Sequence, residues 1–193
     1  MSERERRDMI CPHWQYLITL DSDLKEVSRY VEISSANFNT FSIEFVRLLL
    51  AAGSEIDVVA KLLCKEIDDS KRRKDINDYR NVITTKYPKF HTMIIDVPQY
   101  EIQLIPWETW KDNGNPPWWK VYNDVKHKRD IYFKDANLEN TINAVAGLYT
   151  MIWYLHYKNT QMKKLNKTTL LSADRYDAGC RWVDTPGYII PDN

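Results

Sequence analysis

Asn123 and His127 are the residues of this sequence whose types and spacing could best support chemistry. They lie four residues apart in the segment PPWWKVYNDVKHKRD, residues 116–130, and this spacing places two side chains on one face of a helix. Positive charge beside them comes from Lys126, Lys128 and Arg129. An imidazole can transfer protons near neutral pH while fixed cations hold a phosphate. The segment therefore indicates a site for a phosphate-rich ligand, and nothing in it requires a metal.

The stretch YNDVKH, followed by a long capped amphipathic helix, resembles the C-terminal half of the HEPN superfamily (higher eukaryote and prokaryote nucleotide-binding domains). The hallmark of that family is Arg-Asn-x-x-x-His, and Asn123 and His127 match its asparagine and histidine. Tyr122 stands where the family has arginine. The resemblance covers residues 115–158 by motif and residues 41–158 by layout. It implies a helical bundle that forms a homodimer and cuts RNA without metal, by attack of a ribose 2′-hydroxyl on the neighbouring phosphorus.

The resemblance also implies roles for the residues of the motif. His127 is the expected general acid and base, and Asn123 positions it or donates a hydrogen bond to the phosphate. The cations within about a turn that could replace the missing arginine are Lys120, Lys126 and Arg129. Alternatively, the site only binds RNA or a nucleotide. Family members commonly serve prokaryotic antiviral defence or toxin–antitoxin pairs, so a partner protein encoded alongside is also expected.

Glu55 is a second candidate because it lies in a long, strongly apolar helical stretch, where a carboxylate is costly to bury without a partner. We expect it to accept a hydrogen bond from His127, Lys126 or Arg129, and so to set the tautomer of the imidazole. The alternative is a structural ion pair between helices.

Further candidate binding residues surround the motif: Tyr122, Lys120, Arg80 and Trp119. Arg80 belongs to a YRN triplet, and we predict a surface or ion-paired arginine there unless the fold brings it near His127, where it could supply the missing cation. Trp119 is one of four tryptophans around the loop before the motif, and tryptophans can stack on bases or pack in cores. We predict that two of the four are buried.

Composition limits the class of protein. The 193 residues hold 27 basic and 27 acidic side chains, so no overall positive field marks a nucleic-acid binder. The three cysteines form no C-x-x-C pair, which favours a reducing cytoplasm. The apolar run 144–157 is shorter than the ~20 residues of a membrane span. We therefore expect a cytoplasmic protein, with no cofactor, no metal and no membrane contact, since phosphate-binding glycine loops and zinc-binding histidine pairs are absent from the sequence.

Hydrophobic periodicity predicts a mainly α fold, a bundle of four to five helices with a small β-hairpin inserted at about residues 90–106. Residues 1–167 would form one HEPN-like domain, and residues 168–193 an irregular tail packed on it. The expected helices span residues 21–33, 41–68, 76–88, about 118–129, and a last helix capped by Asp135.

A rival hypothesis treats Asn123 and His127 as a hydrogen-bonded structural pair. The chain would then be a non-catalytic interaction protein, such as an antitoxin, inhibitor or scaffold, whose aromatic loop and hairpin contact a partner. Exposure of His127 among cations would favour the enzyme or binder, and tryptophans covering it would favour the interaction protein.

Overall fold

The structure is a computed structural model that describes residues 11–156 and 167–173. Within these residues the fold is mainly α, with a small two-stranded antiparallel hairpin, as the sequence predicts. The helices are α1 (Pro12–Val27), α2 (Ile43–Ile67), α3 (Ile76–Lys86), α4 (Pro117–Tyr132) and α5 (Leu138–His156), and the strands are β1 (Ile95–Val97) and β2 (Ile102–Leu104). Short 3₁₀ turns connect several of these elements.

Helices α2 and α5 form the centre of the core and pack extensively on each other. α2 starts where Ser42 accepts a hydrogen bond from the Phe45 amide at 3.1 Å, which satisfies one free donor of the first turn. α5 is buried on every side between Ala144 and Leu155, so its apolar run serves the interior, as predicted. No helix in the described part of the chain is both long and apolar enough to cross a bilayer.

Two glycines allow α4 to approach this central pair closely. A Cβ added at Gly53 of α2 would lie 2.3 Å from Cδ2 of Tyr122, and one added at Gly147 of α5 would lie 2.9 Å from Cζ2 of Trp118. Both distances are shorter than real Cβ contacts. The rings of α4 therefore occupy space that a larger residue at either glycine would fill, and this contact fixes the position of the helix.

The observed ends of two helices differ from the predicted ones. α1 starts at Pro12, not at residue 21, and it ends at Val27, not at residue 33. The proline supplies a favourable first helical position. The cap of α5 is Asn137, whose side chain accepts from the Asn140 amide at 3.0 Å, so the assignment of Asp135 was wrong.

The hairpin lies within the predicted interval, and its strands pair Ile95 with Leu104 and Val97 with Ile102. Its turn starts at Pro98, which cannot donate to the ladder, and it closes through Glu101 at φ 54°. The other edge of β1 pairs with the end of the described chain, because Asp96 and Ser172 exchange two backbone hydrogen bonds of 2.8 Å.

Asp21 of α1 holds the same C-terminal segment. Its carboxylate is only 1% exposed and accepts from the backbone amides of Thr169 at 2.6 Å, Leu170 at 3.1 Å and Leu171 at 2.8 Å, and from the Thr169 hydroxyl at 3.0 Å. Residues 168–173 of the predicted tail are thus fixed against α1 and β1. Residues 174–193, and with them Cys180, lie outside the described residues.

Cys64 gives a prediction of pH dependence. Burial on α2 raises the pKa of its thiol from the ordinary value of 9.0 to about 12. At pH 8 the reactive thiolate is then roughly a thousandfold scarcer than for a free cysteine, so alkylation of Cys64 should be slower by that factor until the chain unfolds. Peptide mass spectrometry after timed alkylation, with and without denaturant, measures this.

The raised pKa of Cys64 also makes the free energy of unfolding depend on pH in alkaline solution. The folded state keeps the thiol neutral, so this contribution to the free energy of unfolding is complete below pH 9 and declines as pH rises from 9 towards 12. Cys64→Ala should show a shallower decline over that interval. Equal slopes for the two proteins, or fast alkylation of the folded chain, would contradict the burial of Cys64.

Candidate functional site

Helix α4 carries the predicted motif, and it has one buried and one exposed face. Its buried residues recur at helical spacing: Trp118, Trp119, Tyr122 and Val125. Residues 126–130 are all exposed. The backbone leaves helical geometry at Lys128, with φ −145° and ψ 56°, so the exposed run lies at a kink in the helix.

His127 is exposed just before this kink, and no tryptophan seals it from solvent. It stands among three exposed cations: Lys126, Lys128 and Arg129. Of the salt bridges between described residues, none includes these side chains. Lys126 Nζ lies 3.3 Å from the Tyr122 hydroxyl and 5.3 Å from the centre of that ring. The three cations of the run therefore form no ion pair with a carboxylate of the described chain, and the exposed Asp130 is the acidic residue next to them in sequence.

Tyr122 is a core residue. Its side chain is 3% exposed, and its ring packs over Gly53 and lies 5.2 Å from Trp119. The position that corresponds to the arginine of the resembled motif thus faces the helix contact and not the solvent. A cation acting beside His127 would have to come from another position.

Asn123 is half-buried and donates from Nδ2 to the carbonyl oxygen of Trp119 at 2.8 Å. This bond joins the side chain to its own helix, one turn back, and not to His127. The amide oxygen of Asn123 has no hydrogen-bond partner within the described residues. Asn123 also lines a pocket, which is described below.

Glu55 contacts a different residue from those predicted. Its Oε1 lies 2.5 Å from Nδ1 of His13 on α1, and both side chains are partly buried. The expected bond from His127, Lys126 or Arg129 is therefore wrong, because the histidine that approaches Glu55 belongs to the other neighbouring helix. His13 was missed because no helix was predicted before residue 21, although Pro12 is a favourable first helical residue.

Asp57, two residues further along α2, also has partners. It accepts from the Tyr79 hydroxyl at 2.6 Å and forms an ion pair with Lys61. Burial, and then this hydrogen bond, raise the pKa of Tyr79 well above its usual range. Tyr79 therefore stays protonated, and its hydroxyl joins α3 to Asp57 of α2.

Arg80 of α3 is buried rather than on the surface, with 9% of its area exposed. Nη1 donates to Oδ1 of Asn115 at 3.1 Å, and Nε is buried without a hydrogen-bond partner. No carboxylate pairs with this guanidinium in the part of the chain that is described. A buried cation held by a single neutral acceptor is uncommon, because its desolvation is poorly compensated. Nothing in the sequence pattern marked Asn115 as its partner.

A pocket of about 500 Å³ lies where the start of α3, the middle of α2 and the first half of α4 meet. Three predicted residues line it, namely Asn123, Trp119 and Lys120, and Arg80 adjoins it through Asn115. The remaining lining residues are Asp57, Lys74, Asp75, Ile76, Asn115 and Asp124. The candidate site therefore has two parts, this pocket and the exposed run 126–129 one turn further along α4.

The four tryptophans near the motif are all buried, whereas two were predicted to be. Trp107 donates to the Gly147 carbonyl at 3.1 Å and Trp118 to the Pro106 carbonyl at 2.8 Å, so the loop before α4 is part of the core. Of the four, only Trp119 lines the pocket.

Comparison with known protein families, with curated protein sequences and with solved structures finds no match to this chain. Its function must be argued from the residues themselves.

Proposed function

We propose that this chain is an RNA- or nucleotide-directed protein that binds phosphate through the exposed run 126–129 of α4. The observation that carries the proposal is the group of three cations around an exposed histidine with no carboxylate partner in the described chain. Unpaired cations at one place supply the counter-charge that a nucleic-acid backbone requires. Because the chain as a whole has no net charge, a local group of unpaired cations is a stronger indication of a phosphate-binding surface.

The chemistry that this arrangement supports is metal-independent RNA cleavage of the HEPN type. His127 would take the proton from the ribose 2′-hydroxyl and return one to the leaving oxygen. Lys126 or Arg129 would stabilise the charge that develops on the phosphate, since Tyr122 is committed to the core. In a homodimer the two runs would face each other. A role in prokaryotic defence or in a toxin–antitoxin pair belongs to the same proposal.

Cleavage of single-stranded RNA by the purified protein with EDTA present tests the catalytic part. His127→Ala should reduce the rate by about 100-fold or more, which is the usual contribution of a general acid–base group. His91→Ala, which replaces a histidine on another element, should leave the rate unchanged. Equal cleavage by wild type and His127→Ala, or no cleavage by either, would remove the ribonuclease claim and leave only binding.

The second candidate is an interaction protein, and it is favoured by exposed apolar side chains next to the basic run. Ile131 is 65% exposed and Ile43 73%, and Phe41 packs edge-on against Phe133 at 5.7 Å. Exposed apolar side chains that lie together can form a contact surface between proteins. Ile131→Gln, which adds no charge beside the basic run, would weaken such a contact and leave RNA binding intact.

A further inference from the structure

The pocket beside the basic run has polar groups that are oriented but have no partner. Oδ1 of Asn115 accepts a hydrogen bond from Arg80, so the NH₂ group of this amide remains available to donate. Asn123 has donated one hydrogen to the Trp119 carbonyl, and its oxygen remains available to accept. Asn115 and Asn123 both line the pocket, so a donor and an acceptor without a partner in the described chain belong to residues of the same lining. A planar ligand edge that carries both functions could satisfy them together.

The pocket lining carries three carboxylates, Asp57, Asp75 and Asp124, and two lysines, Lys74 and Lys120. Asp57 is paired with Lys61 and Tyr79, and Asp75 accepts from the first-turn amides of α3. Lys74 and Lys120 line the pocket without a salt bridge in the described chain. The lining therefore has no net positive charge to select an anion, and the phosphate of a ligand is assigned to the basic run 126–129.

The position of the pocket relative to His127 is also informative. Asn123 and His127 share one face of regular helix before the kink at Lys128, which separates them by one turn, about 6 Å along the axis. This is of the order of one nucleotide step in an extended strand. A strand whose base enters the pocket would place its neighbouring phosphate over the cationic run.

We propose that this pocket receives one unpaired base of single-stranded RNA and reads its edge through Asn115 and Asn123, with Trp119 forming the pocket wall. Amide side chains pair with base edges and indole rings pack against base faces in proteins that bind single strands. Arg80 acts as a positioning residue, because it holds the Asn115 amide in one orientation without entering the pocket lining. Duplex RNA could not offer its base edges in this way.

This inference rests on the proposed function, and it is tested with Asn115→Ala in the full-length chain. Asn115 is exposed but accepts from the buried Arg80, so Asn115→Asp, which keeps the acceptor and removes the NH₂ donor, repeats the test without leaving the guanidinium unpaired. Asn81→Ala is the matched control for an exposed asparagine next to Arg80. The measurement is the affinity for four single-stranded homopolymers and one duplex. Wild type should prefer one base by about tenfold and bind the duplex more weakly, and Asn115→Ala should lose that preference, since a good base contact contributes 1–3 kcal/mol of discrimination.

The outcomes separate the two claims. RNA binding with no base preference, or with a preference that Asn115→Ala leaves unchanged, overturns the pocket and leaves the proposed function. If the chain binds no RNA, the four nucleoside monophosphates are titrated while the side-chain amide NMR signals of Asn115 and Asn123 are followed. Shifts of these signals with one nucleotide retain the base pocket without the RNA claim, and no shift with any of them overturns both.

Discussion

Gly53→Ala should lower the free energy of unfolding by about 2 kcal/mol. Two effects oppose each other at this position. Alanine favours a helix over glycine by about 1 kcal/mol, but its methyl group would lie 2.3–2.7 Å from three atoms of the buried Tyr122 ring. Overpacking of this kind costs about 3 kcal/mol when the neighbour cannot leave the core. The strain is the larger effect, so we expect a net loss, measured by chemical denaturation.

Two further variants show whether the loss comes from the ring. Ser54→Ala replaces the adjacent exposed residue of the same helix and should change stability by less than about 0.5 kcal/mol. Tyr122→Ala opens a cavity, and the Gly53→Ala methyl would partly fill it, so the double variant should lose less than the sum of the single losses. Strict additivity would mean that α2 and α4 do not meet through Gly53 and Tyr122.

Asp21→Asn should have the second large effect, a loss of about 3 kcal/mol. The buried carboxylate accepts from three backbone amides and one hydroxyl, and an asparagine would place an NH₂ group against some of these donors. Hydrogen bonds to a buried charged acceptor are among the costliest to remove. The segment 168–173 should detach before the helices unfold, so amide hydrogen exchange at residues 169–172 should accelerate by about 100-fold or more.

Asp23→Asn is the matched control on the same helix. Asp23 is partly exposed and pairs with Arg47 at 2.8 Å, and exposed pairs of this type contribute at most about 1 kcal/mol. Amide exchange at residues 169–172 should not respond to it. If Asp21→Asn left exchange in the C-terminal segment unchanged, the carboxylate would not be what holds it.

The sequence predicted most reliably the elements whose signals are local. α2 and α3 start within two residues of the predicted positions, since Ser42 and Asp75 are side-chain caps, and the hairpin follows from two short β-type runs around Pro98. α1 was misplaced because Asp21 looked like a helix cap. Its actual partners, residues 169–171, lie almost 150 positions away, and no local pattern reports such a contact.

Contacts between residues distant in sequence also limited the prediction of the candidate site. The spacing of Asn123 and His127 correctly placed them on one helix, and the exposure of His127 could not be decided from sequence. Glu55 was recognised as a carboxylate that needs a partner, whereas Arg80 was predicted to be a surface or ion-paired residue and is buried. Their partners, His13 and Asn115, depend on how separate helices and loops pack. Periodicity identifies which residues share a face, whereas the packing of that face requires the fold.

The salt dependence of single-stranded RNA binding tests the central claim most directly. The triple variant Lys126→Ala/Lys128→Ala/Arg129→Ala removes the unpaired run. The triple variant Lys71→Ala/Arg72→Ala/Arg73→Ala removes equal charge from a run whose arginines are paired with Asp78 and Asp69. Each phosphate contact contributes about 0.7 to the slope of log affinity against log salt. The first variant should lower the slope by about 2 and the affinity by about 100-fold, and the second should change neither. Equal behaviour of the two variants, or no RNA binding by the wild type, would contradict the assignment of α4 as the phosphate-binding surface.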